Sequence, residues 1–171
     1  CHTQRDDRTG IMVHLYGPHI FHTDSKRLWK FVNQFDDFIP YSNRVKAITQ
    51  NRVFSLPINL LTINQFFGKV LSPQEARKYI DSIVDHSIVD PQSLEEWSLR
   101  FVSADLYEAF FKGYTLKHWG VHPSELPAGI IKRLPLSFSY DDSYFSNRYQ
   151  GIPPNGYTKI FEQLLDHSNI Y

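Results

Sequence analysis

Two short strings in the middle of the chain constrain the fold most. Ser72-Pro73-Gln74-Glu75 and Ser93-Leu94-Glu95-Glu96 each place a hydroxyl three residues ahead of a carboxylate, the reciprocal pattern that satisfies the orphan N–H groups of a helix start. Proline at the first helical position strengthens the first of them. They predict one helix running to about His86 and a second helical region from Ser93 through Lys112 that Gly113 ends. A shorter helix starts near Thr62, runs through Phe66-Phe67 and stops at Gly68. Strand patterns flank this middle. Ile11, Val13 and Leu15 alternate with Met12, His14 and Tyr16 up to Gly17-Pro18. Val45–Ile48 and Val53–Leu56 enclose a Gln50-Asn51 turn and read as a hairpin closed by Pro57, and Leu136–Tyr140 is strand-like again. Thr23 or Asp24 can cap a helix with the apolar face Leu28, Phe31, Val32 and Phe35, and a final amphipathic helix carries Ile160, Phe161, Leu164 and Leu165. The fold class is α+β, a helical middle flanked by strands of an incomplete antiparallel or mixed sheet.

Composition enters by exclusion. The 18 basic side chains balance 18 acidic ones, so no basic field exists to neutralise nucleic-acid phosphates, although one basic pocket is compatible with zero net charge. A single Cys excludes a disulfide framework and a cysteine metal site. No apolar run is long enough to span a bilayer and no signal-peptide pattern opens the chain, so a soluble cytoplasmic protein is expected. The chain begins at Cys1-His2-Thr3 and stops at Asn169-Ile170-Tyr171, where an apolar strand could begin, and both ends read as cut.

Familiar catalytic machinery is missing. No two of the eight glycines are separated by a single residue, so neither a dinucleotide fingerprint nor a phosphate-cradling P-loop can be built. No nucleophile elbow occurs, and Cys1 reads as a boundary residue. His19 and His22, and His118 and His122, have spacings that metals use, but no carboxylate stands at a zincin spacing, and turn histidines satisfied by backbone are the plainer reading. Adjacent Asp141 and Asp142 would point apart on a strand and make a poor acid–base pair.

The stretch from Phe110 to Gly120 is unusual. Phe110, Phe111, Tyr114 and Trp119 crowd it, and Phe110 and Tyr114 stand four apart, where helical rings share a face. Such rings either pack as core or sandwich a planar base, with Thr115 supplying a hydroxyl and Trp119 a wall. Downstream, Arg133 beside Tyr140 and Tyr144 is either a surface charge or a fork suited to a diphosphate.

The ordered set of these blocks is specific. Tyr16-Gly17-Pro18-His19-Ile20-Phe21-His22-Thr23, Phe110-Phe111-Lys112-Gly113-Tyr114-Thr115 with Trp119-Gly120, Glu125-Leu126-Pro127-Ala128, Lys132-Arg133-Leu134-Pro135, Asp142-Ser143-Tyr144-Phe145, Tyr149-Gln150-Gly151 and Gly156-Tyr157-Thr158 closely resemble bacterial UDP-galactopyranose mutases. The resemblance implies an isomerase of the flavoprotein class, interconverting UDP-galactopyranose and UDP-galactofuranose through a reduced-flavin N5–sugar adduct. Galactofuranose made in this way feeds cell-surface polysaccharide. Catalytic side chains are not expected, because the FAD cofactor carries the chemistry. The resemblance implies substrate binding by Asn43, Phe110, Tyr114, Thr115, Trp119, Arg133 and Tyr144, and flavin contact by Gly17, Pro18, His19 and His22, with His22 nearest the ring. No metal is expected, and a homodimer through the helical domain is.

The family's Gly-rich FAD segment and its C-terminal half have no counterpart in these 171 residues. The chain therefore reads as a central fragment: a partial FAD-proximal strand and loop at 1–23, a mainly helical substrate domain with a hairpin at 24–126, and a partial central-sheet region with a C-terminal helix at 127–171. By itself it is expected to bind FAD weakly and to be inactive. The alternative is a UDP-sugar binding or dimer-forming module without catalysis.

Overall fold

The computed structural model describes residues 1–133 and 136–166, with the backbone alone at 131–133. It forms two compact units, Arg44–Tyr144 and a second built from Cys1–Asn43 with Phe145–Tyr171. Its class is α+β, and every strand pair among the described residues is antiparallel.

The Arg44–Tyr144 unit opens with the expected hairpin. Strands β5 (Val45–Thr49) and β6 (Arg52–Leu56) pair from Val45 opposite Leu56 to Thr49 opposite Arg52. Gln50 and Asn51 take positive φ, 50° and 55°, the left-handed pair whose twist matches two right-twisted strands. Helix α2 (Leu60–Phe67) starts two residues before Thr62, because the Asn59 side chain accepts from the Thr62 N–H and becomes the cap. Both predicted capping boxes form, on α3 (Pro73–Ile83) and α4 (Leu94–Phe101). Helix α3 stops short of His86, since Val84 turns extended and Asp85 closes a local turn onto Ser87.

The second helical region does not run unbroken to Lys112. It breaks at buried Ser103, whose φ of 105° redirects the chain and whose hydroxyl caps the next helix at Leu106. The chain then stays helical through Ala104–Leu106 (α5), a π-helical stretch over Tyr107–Lys112 and Gly113–Trp119 (α6). Gly113 thus does not end the helix. It sits at φ −66°, between buried Phe110 and Phe111 on one side and buried Thr115 on the other. Tertiary burial on both sides outweighs the roughly 1 kcal/mol that glycine costs a helix interior. Gly120, at φ 71°, is the true stop.

Leu136–Tyr140 runs extended without joining a ladder. Its backbone bonds to the facing chain, among the described residues, are Ser137 N–H to Ile58 O and Leu60 N–H to Ser139 O, because Pro57 lacks a donor and the facing chain enters α2 at Leu60. The core of this unit gathers Phe54, Leu60, Ile63, Leu106, Tyr107 and Phe110.

The other unit holds two small sheets. Strand β1 (Thr3–Arg5), which sequence reasoning missed, pairs with β2 (Met12–His14). The second sheet has the order β3 (Phe21–Thr23), β7 (Tyr149–Ile152), β4 (Ile39–Pro40). Helix α1 (Lys26–Val32) is capped by Ser25 rather than by Thr23 or Asp24. The Thr23 hydroxyl accepts from Ser25 N–H, and Asp24 is engaged elsewhere. Helix α7 (Tyr157–Leu165) forms as expected; it buries Ile160 and leaves Phe161 and Leu165 exposed. Phe38, Tyr157 and Ile160, with Phe21, Trp29, Val32 and Phe35 packed on them, make a separate apolar cluster. No described helix is long and apolar enough to cross a membrane.

Two glycines test this packing in opposite directions. A Cβ at Gly151 would stand 2.8 Å from the Ile39 carbonyl oxygen and 3.0 Å from the Trp29 ring, so Gly151→Ala should cost about 1–3 kcal/mol. A Cβ at Gly113 meets nothing within 4 Å in helical backbone, so Gly113→Ala should gain about 0.5–1 kcal/mol. Thermal melts of the two variants should shift to opposite sides of the parent.

Candidate functional site

The aromatic block begins in the π-helical stretch, where hydrogen bonds from i to i+5 widen the turn over Tyr107–Lys112. Phe110 faces the core, its ring T-shaped to Phe54 at 5.3 Å and tilted on Phe66 at 5.5 Å. Tyr114 faces solvent at 57% exposure and lies parallel to His118, with ring centroids 5.5 Å apart at 9°. The two rings expected to flank a base are thus divided between core and surface. Thr115 is buried, whereas Trp119 is half exposed with its ring edge-on to His118.

An anchor beneath this turn holds it. The buried Tyr107 hydroxyl donates to Glu95 Oε1 at 3.0 Å, tying the wide turn to α4. Burial, with the Glu95 carboxylate as acceptor, pushes that phenol far above its ordinary value.

Tyr144 comes close enough to Tyr114 for the two phenols to influence each other. Burial first, and then Tyr114, raise the Tyr144 pKa, so the group is a neutral donor across the physiological range. The turn before it is pinned. Asp142 accepts from Arg44 Nε at 3.3 Å and Lys46 Nζ at 3.0 Å, and Lys46 also donates to Ser55 Oγ. Asp141 instead closes a turn onto Ser143 N–H, which lowers its pKa. The two aspartates thus diverge and form no acid–base pair. Arg44 and Lys46 escaped sequence reasoning, although their alternation on the first hairpin strand is the period-2 signal of one sheet face. The Arg133 side chain lies outside the described residues.

A cavity of about 410 Å³ elsewhere in this unit, lined by Thr49, Gln50, Phe66, Phe67, Asp105, Glu108 and Ala109, is the wrong home for a nucleotide. Two carboxylates in its wall would repel a diphosphate. The exposed Tyr114 ring with the Tyr144 phenol has the better chemistry for a base.

In the other unit, residues 17–20 form an open loop leading into β3. Gly17 has φ 100° with empty space where a Cβ would stand, and Pro18 follows it. The His19 ring bonds the Gly17 carbonyl, and its backbone N–H donates to His14 Nδ1. Burial, aided by His19, lowers the His14 pKa. His22 lies exposed on β3, stacked on Phe145 at 3.8 Å and 14°, with Nδ1 2.7 Å from Asn147 Oδ1. Asn43 is half-buried at the end of this unit's first segment. No group of three or more metal-ligating side chains occurs among the described residues. An exposed imidazole with a clamped plane fits the edge of a planar polar ring such as a flavin, while the glycine spacing offers no cradle for its phosphates.

Phenylalanine at Tyr107 removes the anchor. Tyr107→Phe should cost about 0.5–1.5 kcal/mol at neutral pH. Because the folded-state pKa is raised, the parent keeps this stabilisation below the ordinary tyrosine range near pH 10 and loses it as pH climbs beyond. Denaturant titrations at pH 7 and 10.5 should show a smaller alkaline loss in the variant.

Comparison with known proteins follows the same residues. The family model described as UDP-galactopyranose mutase matches residues 109–171. A probable UDP-galactopyranose mutase of Klebsiella pneumoniae is 60% identical over 97% of this chain and 43% of its own length. A dTDP-fucopyranose mutase of Escherichia coli is 55% identical over 99% of the chain and 45% of its own. A UDP-galactopyranose mutase of Mycoplasma pneumoniae is 28% identical over 98% and 43%. The chain thus spans less than half the length of these curated relatives.

Proposed function

We propose, taking as premise the likeness of nearly the whole chain to UDP-galactopyranose mutases, that these residues bind the nucleotide sugar in an isomerase converting UDP-galactopyranose to UDP-galactofuranose. The observation carrying this reading is the exposed Tyr114 ring beside the neutral Tyr144 phenol, both within the residues that match the family model. In it, Tyr114 stacks on the base, since a ring face accepts any base. Tyr144 donates to a phosphate oxygen, and Arg44 and Lys46 add positive potential. Asn43, Phe110, Thr115, Trp119 and Arg133 complete the substrate set in the same reading.

FAD, when bound and reduced, supplies the nucleophile for the anomeric carbon. Gly17, Pro18, His19 and His22 would hold the edge of its ring. The 171 residues alone retain the base-stacking aromatic and are not expected to turn substrate over. A cytoplasmic location, a homodimer through the helical unit and a role in cell-surface polysaccharide belong to the same reading.

A second reading follows from the 55% identical relative, whose name specifies dTDP-fucopyranose. Stacking alone does not separate thymine from uracil, so the observed ring accommodates both nucleotides.

Titration of the chain with UDP and with dTDP, read by the fluorescence of its 3 Trp, tests both. Saturable quenching is expected, and Tyr114→Ala should weaken it by about 1–3 kcal/mol, roughly 5- to 150-fold. No response at millimolar concentrations of either nucleotide would remove the binding reading. Tighter dTDP than UDP binding would favour the second substrate.

A further inference from the structure

His22 sits at the centre of a polar chain whose proton positions follow from valence alone. Asp24 begins it. Its Oδ1 accepts the Arg148 backbone N–H at 2.8 Å, and its Oδ2 lies 2.7 Å from Asn147 Nδ2. These hydrogen bonds, Arg148 first and Asn147 second, lower the Asp24 pKa and keep the group an ionised acceptor. Facing an acceptor-only carboxylate, Asn147 must turn its NH₂ to Asp24 and its carbonyl to His22. The Asn147 Oδ1 to His22 Nδ1 contact, 2.7 Å, then requires the proton on Nδ1.

The frame around this chain is fixed. Gln150 Nε2 donates to the carbonyls of Phe145 and Asn147, holding the loop that presents the amide, and Gln150 is paired with His22 across β3 and β7. Phe145 stacks on the imidazole and sets its plane. Neutral imidazole carries one proton, so with Nδ1 protonated its Nε2 holds a lone pair. Nε2 makes no hydrogen bond among the described residues.

We propose that Asp24 and Asn147 are positioning residues that fix His22 as the Nδ1–H tautomer, so that Nε2 is a hydrogen-bond acceptor for a ring N–H of a planar heteroaromatic. The acceptor half rests on the flavin-facing reading of this loop; the tautomer half does not. A fixed acceptor favours a ring edge offering N–H over one offering a bare nitrogen lone pair, which would meet Nε2 lone pair to lone pair.

Two-bond proton–nitrogen correlation spectra of the ¹⁵N-histidine-labelled chain, above the imidazole titration, report the tautomer directly, with His22→Gln assigning the signals. Predominant Nδ1–H is expected at His22. Asp24→Asn frees the Asn147 amide to turn over, and Asn147→Leu deletes the acceptor. Either should shift His22 towards Nε2–H, with melting curves confirming that each variant is folded. Predominant Nε2–H in the parent chain, or a folded Asp24→Asn variant with its tautomer unchanged, overturns the proposal. Millimolar FMN, which carries the isoalloxazine ring, is then added to the parent. Movement of the His22 Nε2 signal supports the acceptor role. An unmoved signal in an Nδ1–H ring removes the flavin reading and the acceptor half with it, leaving the tautomer result standing.

Discussion

The burial of Tyr107, Phe110 and Phe111 against the hairpin and α2 is the interaction on which the candidate site depends. Full burial of a large side chain stabilises by about 1.5–3 kcal/mol, and three in one stretch exceed what a regular helix gains there by propensity. The chain accommodates them by widening into a π-helical turn, and the Tyr107–Glu95 bond satisfies the one polar group that this puts inside. Everything C-terminal to the wide turn is rotated in consequence. Tyr114 and Trp119 are delivered to the surface while Thr115 goes under.

In the other unit a different set of rings has the equivalent role. Trp29 stacks on Tyr149 and meets Phe38 edge-on, and Phe38 in turn packs against Tyr157. These contacts fasten the short strands β3, β7 and β4, which have too few ladder bonds to stand alone. Gly151 is where the backbones come closest. The reward of this packing is a fixed position for His22 on the paired strand β3, with the Asn147 loop held to β7 by Gln150.

Chemically, the described residues bring together groups suited to recognition. An exposed ring face, a neutral phenol and two cations tied to Asp142 suit a base and a diphosphate. A clamped imidazole suits a planar ring edge.

Local signals in the sequence were enough for the features whose physics is local. Both capping boxes, the Gln50-Asn51 turn and the stop at Gly68 formed as read, since each depends on a handful of neighbouring backbone groups. The ordered motifs pointed to the mutase likeness because a family pattern is written in the chain itself. Only the tertiary structure decided that the helix passes through Gly113, that Phe110 is core while Tyr114 is surface, and that Leu136–Tyr140 joins no ladder. It alone brought Asp142 to Arg44 and Lys46, and Asp24 to Asn147 and His22. The reason is the same in each case. These outcomes turn on burial and on partners more than ninety residues away, and neither is encoded in the spacing of neighbours.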